Sequence, residues 1–510
     1  MKQRALISLS DKSGLEPLLK ALDTVGIELI STGGTKKAIE TAGYKVLGIE
    51  EVTNFPEMLD GRVKTLHPMV HGGLLYRRDL ESHVAQVKEH NIQSIDYVIV
   101  NLYPFFETIS KPNVSFEEAI ENIDIGGPSM LRSAAKNHDS VTVICDPIDY
   151  QELIDELNAN QKTSLEFRKR CAAKVFRQTA AYDSMIADYL TKQNGDKYPE
   201  TFSEGFKLKQ VLRYGENPHQ QAAFYESPFK EKYSIAHSVQ LQGKELSYNN
   251  IQDANSALQL LSSFEKPACV GLKHMNPCGV AEAENVFEAW NKAYEADPVS
   301  IFGGIVAFNR EVSGEIASSL TELFLEVILA PSYSSDAKEI FSKKKNLRVL
   351  EFSTEGKVQE HSSVRVAGGL LLQDVDSTIT DPSTYKCVTK IQPKAEWLSD
   401  CLFGEKVVKQ VKSNAIVLVK DGQSLGIGAG QMNRVGAAKL ALEQAGEKAK
   451  GSILASDAFF PMDDTVRLAA QYGICCIIQP GGSIKDQDSI DACDELGICM
   501  VFTGERHFKH

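Results

Sequence analysis

Lys273 and His274 close an apolar run, Ala268-Cys269-Val270-Gly271-Leu272, and open into Met275-Asn276-Pro277-Cys278-Gly279. The pattern predicts a short buried strand that delivers two ionisable side chains into a turn closed by Pro and Gly. A lysine beside a histidine suits a reaction that takes a proton from a poor nucleophile and protonates a leaving group in one site. The bland alternative is a strand end with two exposed polar residues. That is the ordinary reading of an isolated Lys-His pair, and the other motifs of the chain weigh against it.

Four further segments could carry chemistry. Ser10-Asp11-Lys12-Ser13-Gly14 and Ser31-Thr32-Gly33-Gly34-Thr35 each follow a strand-like run and precede a helical one. Gly-rich turns at helix starts offer backbone N–H groups and a dipole to an anion, and hydroxyls add donors. One such turn is commonly just a tight turn; two at the same edge of one sheet favour a phosphate. In Gly61-Arg62-Val63-Lys64-Thr65-Leu66-His67-Pro68 the alternation would set Arg62 and Lys64 on one face of an extended chain. There they could hold a phosphate or stabilise charge on a carboxamide, against the alternative of a solvated basic loop. Last, Asn101-Leu102-Tyr103-Pro104-Phe105 follows a buried run, and Asp124-Ile125-Gly126-Gly127-Pro128-Ser129 leads into a helix carrying Arg132 and Lys136. Pro128 suits the first helical position, with the glycines allowing a ligand to approach the helix start.

The elements that must position these residues alternate along the chain. Arg4–Leu9, Ile27–Ile30, Ile95–Val100 and Val141–Cys145 read as strands, with helices over Leu15–Thr24 and Lys36–Ala42. This rhythm predicts a parallel sheet with helices on both faces. Polar, turn-rich residues over 191–205 mark a boundary, giving a first domain over 1–195, a linker over 196–205 and a second α/β region over 206–510. Strand-like runs in the second region are Ile301–Phe308, Phe324–Ala330, Ala415–Val419, Ile453–Ala455, Ile474–Ile478 and Ile498–Phe502, with a helix over Val435–Lys448. A division into two subdomains is expected near 355–400.

The 510 residues are 43% hydrophobic and 24% charged, as in a globular protein with ample core. A net charge of −13 argues against nucleic acid or an anionic membrane as partner. Ten cysteines without a Cys-x-x-Cys, several inside apolar runs, suggest buried reduced thiols and a cytoplasmic location. Met1-Lys2-Gln3-Arg4 runs straight into a strand, so no signal peptide is expected. No apolar stretch reaches membrane-spanning length.

Taken together, Ser-Asp-Lys-Ser-Gly at 10–14, Ser-Thr-Gly-Gly-Thr at 31–35, Gly-Arg-Val-Lys-Thr-Leu-His-Pro at 61–68, Asn-Leu-Tyr-Pro-Phe at 101–105, Asp-Ile-Gly-Gly-Pro-Ser at 124–129 and Ala-Ala-Lys-Asn-His at 134–138 resemble one family. The likeness continues through Leu-Arg-Tyr-Gly-Glu-Asn-Pro-His-Gln at 212–220, Gly-Lys-Glu-Leu-Ser-Tyr-Asn-Asn at 243–250 and Lys-His-Met-Asn-Pro-Cys-Gly at 273–279. It then runs through Ser-Asn-Ala-Ile-Val at 413–417, Gly-Ala-Gly-Gln at 428–431, Ser-Asp-Ala-Phe-Phe-Pro at 456–461 and the tail at 503–508. The family is that of the bifunctional purine-biosynthesis enzymes joining AICAR formyltransferase to IMP cyclohydrolase. Residues 332–346 and 380–400 carry none of its motifs.

The resemblance implies a methylglyoxal-synthase-like domain, then a duplicated cytidine-deaminase-like α/β region without zinc. The lack of zinc fits the motif: Cys278 is followed by Gly279-Val280-Ala281 and cannot complete the Cys-x-x-Cys of the zinc deaminases. It implies formyl transfer from formyl-tetrahydrofolate to AICAR, giving FAICAR, and dehydrative closure of FAICAR to IMP. In formyl transfer His274 would be the base, Lys273 the acid and Asn414 the group that orients the formyl oxygen. Arg213, Tyr214, Asn217, His219, Arg434 and Arg506 would contact substrate phosphate or ring. Phe302, Gly303, Phe459 and Pro461 would supply surface for a flat ring, and Asp464 would contact the pterin. In ring closure Lys64, Tyr103, Asp124 and Lys136 would act, with Arg62, Thr65, Asn101, Gly126 and Gly127 binding substrate. A homodimer sharing the formyltransferase site and a structural potassium ion are also implied.

Overall fold

In a computed structural model the described residues are 2–111 and 113–510; Met1 and Pro112, which fall within the expected first domain, lie outside them. The chain forms two compact units that meet at Phe206/Lys207. In the first, strands β1 (Arg4–Ser8), β2 (Glu28–Ser31), β3 (Val46–Gly48), β4 (Tyr97–Val100) and β5 (Thr142–Ile144) form an all-parallel sheet in the order β3-β2-β1-β4-β5. β1 and β4 are buried almost throughout, which explains why they read as continuous apolar runs and not as alternating ones. The strand order reverses at β1, so the C-terminal ends of β2, β1 and β4 define the crevice where open parallel sheets bind ligands. The helix Leu165–Asn194 runs four residues into the polar stretch 191–205 and stops before the expected linker, its N-cap Ser164 and αL Gly195 setting its ends.

In the second unit, β6 (Lys207–Leu212) and β7 (Ala222–Glu226) form a separate two-stranded sheet. The main sheet has twelve strands. From chain to chain position they are β8 (Val239–Gln242), β9 (Ala268–Lys273), β10 (Asn276–Glu282), β11 (Ile305–Phe308), β12 (Val327–Ala330) and β13 (Arg348–Glu351) in its first half. A lone hairpin, β14 (His361–Val366) with β15 (Gly369–Asp374), follows. The second half comprises β16 (Lys386–Cys387), β17 (Ile416–Lys420), β18 (Gln423–Gly428), β19 (Ile453–Ser456), β20 (Cys476–Gln479) and β21 (Cys499–Phe502). Outward from the seam the order is β10-β9-β11-β12-β13-β8 on one side and β18-β17-β19-β20-β21-β16 on the other, with the same parallel and antiparallel senses at each step. The fold is therefore a duplication, and the two copies share one continuous sheet through the β10–β18 pairing at Ala281↔Gln423.

The duplication reaches single residues. The turns β9–β10 and β17–β18 are two-residue hairpins with both central residues at positive φ: His274 and Met275 (53° and 60°), Asp421 and Gly422 (53° and 68°). In each, an aspartate six residues into the preceding helix accepts both turn N–H groups. Asp253 takes those of His274 and Met275 at 3.3 and 2.8 Å. Asp400 takes those of Asp421 and Gly422, both at 2.9 Å. The Lys-His turn is thus His274-Met275 itself, and Asn276-Pro277-Cys278-Gly279 begins β10 where Pro and Gly were expected to close the turn. The apolar run at 301–308 likewise becomes a strand only from Ile305, since 301–304 turn at Gly303 (φ 71°).

Candidate active sites

The crevice of the first unit is knitted by Asn101 at the end of β4. Its Oδ1 accepts from Ser10 N–H, Ser10 Oγ and Asp11 N–H at 2.6–3.1 Å, and its Nδ2 donates to the Asp11 carbonyl. Lys12 Nζ reaches the Leu9 carbonyl (3.3 Å), and Ser13 bonds back to Asp11. Gly14, at φ 71°, lies where a Cβ would press on the Tyr150 ring at 3.2 Å. The hydroxyls expected to meet a phosphate from β2 are instead structural. Ser31, fully buried, donates to the Ile7 carbonyl; Thr35 bridges the Leu9 N–H and carbonyl; Thr32 lies 3.2 Å from Ser8 Oγ. What remains for an anion is backbone: the helix Gly33–Thr41 starts with no side-chain cap, and Gly33 and Gly34 face open space.

The second cluster of this unit centres on Asp124. Its carboxylate caps the helix Gly126–Lys136, accepting from Gly127 N–H at 2.8 Å and Tyr103 N–H at 3.4 Å. Burial pushes its pKa up, against the pull of those two N–H groups and the nearby Lys64 charge. Lys64 lies 4.0 Å from Glu57, and buried Thr65 packs where a Cβ on Gly126 would meet its Oγ1 at 2.7 Å. Lys64, Thr65, Tyr103, Asp124, Gly126 and Gly127 therefore do converge. Several details differ from expectation. The Gly127 N–H is committed to Asp124 and so is not free to bind substrate. Pro128 is the third helical residue, because Asp124 caps the helix two residues earlier. Residues 59–64 form a 3-10 turn and bends, so Arg62 and Lys64 do not share an extended face; Arg62 pairs with Glu121. Lys136 ends the same helix, about 15 Å along its axis from Gly126. It lines a different cavity, with Arg132, Ser133 and Lys169.

In the second unit one edge of the twelve-stranded sheet gathers nearly every expected group. β9 ends there with Lys273, β11 begins there after Phe302-Gly303, β17 begins after Asn414, and β19 and β21 end before Phe459-Pro461 and Arg506. Lys273 Nζ donates to the Phe302 carbonyl at 2.9 Å. Asn276 joins the two halves: its Nδ2 donates to the His274 carbonyl (3.1 Å) and its Oδ1 accepts from Lys412 N–H (3.0 Å). Lys273 and Asn414, from the first and second halves of the sheet, both lie at this edge. Asn414 donates through Nδ2 to the Gln431 carbonyl (2.8 Å) and accepts at Oδ1 from Arg434 (2.7 Å).

Arg434 departs most from expectation. It is 5% exposed, ion-paired with fully buried Asp457 and bonded to Ser456 Oγ (2.9 Å), so it fixes Asn414 and is closed to a substrate phosphate. Arg213 lies beside the Tyr214 ring, and both line a cavity with Phe302. Asn217 closes its loop on Gln220 Oε1, while His219 is exposed. Asp464 accepts from Thr465 N–H at the start of its helix, and Arg506 lies over Phe508. Burial pushes the Cys278 thiol up to about 12, as suits a core thiol beside Cys269. The supports Asp253, Asn276 and Asp457 escaped the sequence reading. Asp457 stands in the quoted 456–461 motif, but no local pattern signals partners so far away in sequence.

Comparison with known proteins agrees with this geometry. Residues 14–129 match the family described as MGS-like domain, and residues 134–444 match AICARFT/IMPCHase bienzyme. The bifunctional purine biosynthesis protein PurH of Anoxybacillus flavithermus (strain DSM 21510 / WK1) is 59% identical, and those of Bacillus cereus strains AH187 and ATCC 10987 are 58% identical. Each alignment covers 100% of both chains. With the duplicated sheet, the Lys-His turn and Asn414 in place, the chain belongs to the AICARFT/IMPCHase bienzyme family of purine biosynthesis.

Proposed function

We propose that the two reactions of this bienzyme are divided between its units, with residues 2–206 closing the ring and residues 207–510 transferring the formyl group. The observation that supports the second assignment is that Lys273, His274 and Asn414 lie at one sheet edge, with Asn276 bonded to both the His274 carbonyl and Lys412 N–H. The ring of AICAR withdraws electrons from its amine, so attack on formyl-tetrahydrofolate needs a base on the amine and an acid on the departing folate nitrogen. His274 takes the first role and Lys273 the second. The Asn414 amide, held by Arg434 and Gln431, orients the formyl oxygen and stabilises its charge.

Ring closure joins two groups of one molecule, so positioning and charge stabilisation carry most of its rate. Asp124, its pKa raised by burial, takes the carboxamide proton, and Lys64 steadies the oxyanion. Tyr103 assists loss of water, and Gly33-Gly34 hold the phosphate.

The working form is a cytoplasmic homodimer, without nucleic acid or membrane as partner. Among the described residues no helix is long and apolar enough to cross a membrane. The implied potassium ion predicts a higher melting temperature in potassium than in sodium buffer.

Paired variants test the division. His274→Ala is expected to lower formyl transfer by roughly two to four orders of magnitude with ring closure intact, and Asp124→Asn to do the reverse. Loss of both activities in either folded variant would sink the two-site reading.

A further inference from the structure

After β21 the chain leaves the sheet and runs on to His510 without secondary structure. Glu505, Arg506, Phe508 and His510 of this tail are exposed, yet His507 among them is 3% exposed. Both of its ring nitrogens face carboxylates. Nδ1 lies 2.7 Å from Asp376, in the chain after β15, and Nε2 lies 3.4 Å from Glu405, on the helix Ala395–Val408. A neutral imidazole carries one N–H and could donate to only one of them, whereas the imidazolium donates to both. The surroundings balance that charge. Buried Lys409 stands 3.6 Å from Asp376 and bonds the Thr378 carbonyl at 2.9 Å, and Tyr385 donates to the second Glu405 oxygen at 2.6 Å. Two carboxylates thus face two cations. A chain end is loose unless something ties it down, and here a buried ion network does.

What the anchored tail bonds gives the network a purpose. The His507 N–H donates to the Asp457 carbonyl at 2.9 Å, and the Lys509 carbonyl accepts the Ser413 N–H at 2.8 Å. Lys509 is itself held through Nζ, which donates to Gln410 Oε1 at 2.7 Å. Asp457 pairs with Arg434 and accepts from Ser413 Oγ, and Arg434 in turn donates to Asn414 Oδ1. The tail therefore grips the main chain of two residues that frame Asn414: its predecessor in sequence, and the partner of its arginine. We propose that the C-terminal segment 505–510 is a strap that positions Asn414, and that His507 fastens it. The inference rests on the formyltransferase reading above, in which Asn414 orients the formyl group. It adds a positioning residue that acts on Asn414 through Asp457 and Ser413. A purely stabilising role would explain the buried charges equally well, but it would not make their effect on the reaction depend on Asn414.

The test is a double-mutant cycle of His507→Gln and Asn414→Ala, read in formyl transfer. In the native background His507→Gln should lower kcat about tenfold, the effect of an orienting amide displaced by a fraction of an ångström, with KM for AICAR changed less than about twofold. In the Asn414→Ala background the same change should cost less than about twofold, since the group it positions is gone. Asp376→Asn, on a side chain 44% exposed, loosens the same clamp without opening the core. It should give a smaller loss of kcat that also disappears in the Asn414→Ala background, and it carries the test if His507→Gln does not fold. Equal losses in both backgrounds would make His507 a structural residue and overturn the proposal, as would an unchanged kcat in both single variants. A rise confined to KM for AICAR would overturn it too, by assigning the strap to the neighbouring Arg506. A native kcat in Asn414→Ala alone would overturn the reading on which the proposal rests, a result distinct from each of these.

Discussion

Arg434 and Asp457 show how a single buried charge can govern a site without touching substrate. Each is almost inaccessible, and their ion pair, with Ser413 Oγ and Ser456 Oγ around it, fixes the atom that orients Asn414. Arg434→Met leaves Asp457 buried and unpaired, a change expected to destabilise the fold by about 3–5 kcal/mol; Arg434→Met/Asp457→Asn should recover much of that loss. Denaturant unfolding checks both. A stable Arg434→Met variant with only a raised KM for AICAR would return Arg434 to the role of phosphate ligand. His507 is a second buried charge. Burial alone would lower its pKa, but Asp376 at 2.7 Å and Glu405 at 3.4 Å outweigh that and raise it to about 9. Its contribution to stability is therefore full below the unfolded value near 6.5 and lost as pH rises from there through 9. Lys509, lowered to about 8 by burial, acts in the opposite sense between 8 and its ordinary 10.5. The melting temperature of the native chain relative to His507→Gln should fall between pH 6.5 and 9; a gap constant with pH would refute the charged His507.

At the scale of elements, the two equivalent hairpins provide an internal control. Asp421-Gly422 is a pair that suits two successive positive φ values, whereas His274-Met275 takes the same conformation at a steric cost of about 1–2 kcal/mol per residue. The proposed role of His274 accounts for a residue pair that suits the turn poorly, and Asp253 holds the turn in place. Asp253→Asn keeps the shape and weakens two charge-assisted bonds. It should lower kcat of formyl transfer about tenfold with little change in KM for AICAR, as expected when a base is misplaced by a fraction of an ångström. Asp400→Asn makes the same change at the other turn and should lower stability alone; equal losses of kcat in both variants would reduce Asp253 to a structural group. The hairpin also marks where the sequence was hard to read. β1, β4 and β17 were legible because full burial leaves an unbroken apolar run, and the helix Leu15–Thr24 because its apolar spacing is regular. The turn was not, since His-Met carries no turn chemistry and the adjacent Pro and Gly do. β3, with three residues of which two are half-buried, is too short to show a period. The hydroxyls of Ser31 and Thr35 were read as ligand donors because their true partners on β1 and the chain just after it are more than twenty residues away.

At the scale of the molecule, the duplication explains why one edge of one sheet can hold the proposed acid–base pair from the first copy and the proposed oxyanion group from the second. The seam is narrow, with Ala281↔Gln423 reinforced by Val280 N–H to Ser424 Oγ and Glu282 N–H to the Gly422 carbonyl, both 2.9 Å. If Lys273 and Asn414 of one chain serve the same site, mixing Lys273→Ala with Asn414→Ala chains should restore no formyl transfer; recovery to about a quarter would place them in different chains. Lys136 presents the opposite case. It and Asp124 are both expected to serve ring closure, yet they stand at opposite ends of one rigid helix. In the proposed homodimer the two meet if Lys136 of one copy reaches the Asp124 site of the other. Asp124→Asn and Lys136→Ala homodimers should then each be inactive in ring closure. Random mixing makes half of the dimers mixed, each with one of its two sites intact, so about a quarter of native activity should return. Ring-closure assays on the mixture, with subunit exchange verified by native mass spectrometry, decide the matter. No recovery would confine ring closure to one chain, and full activity of Lys136→Ala alone would remove that residue from the reaction.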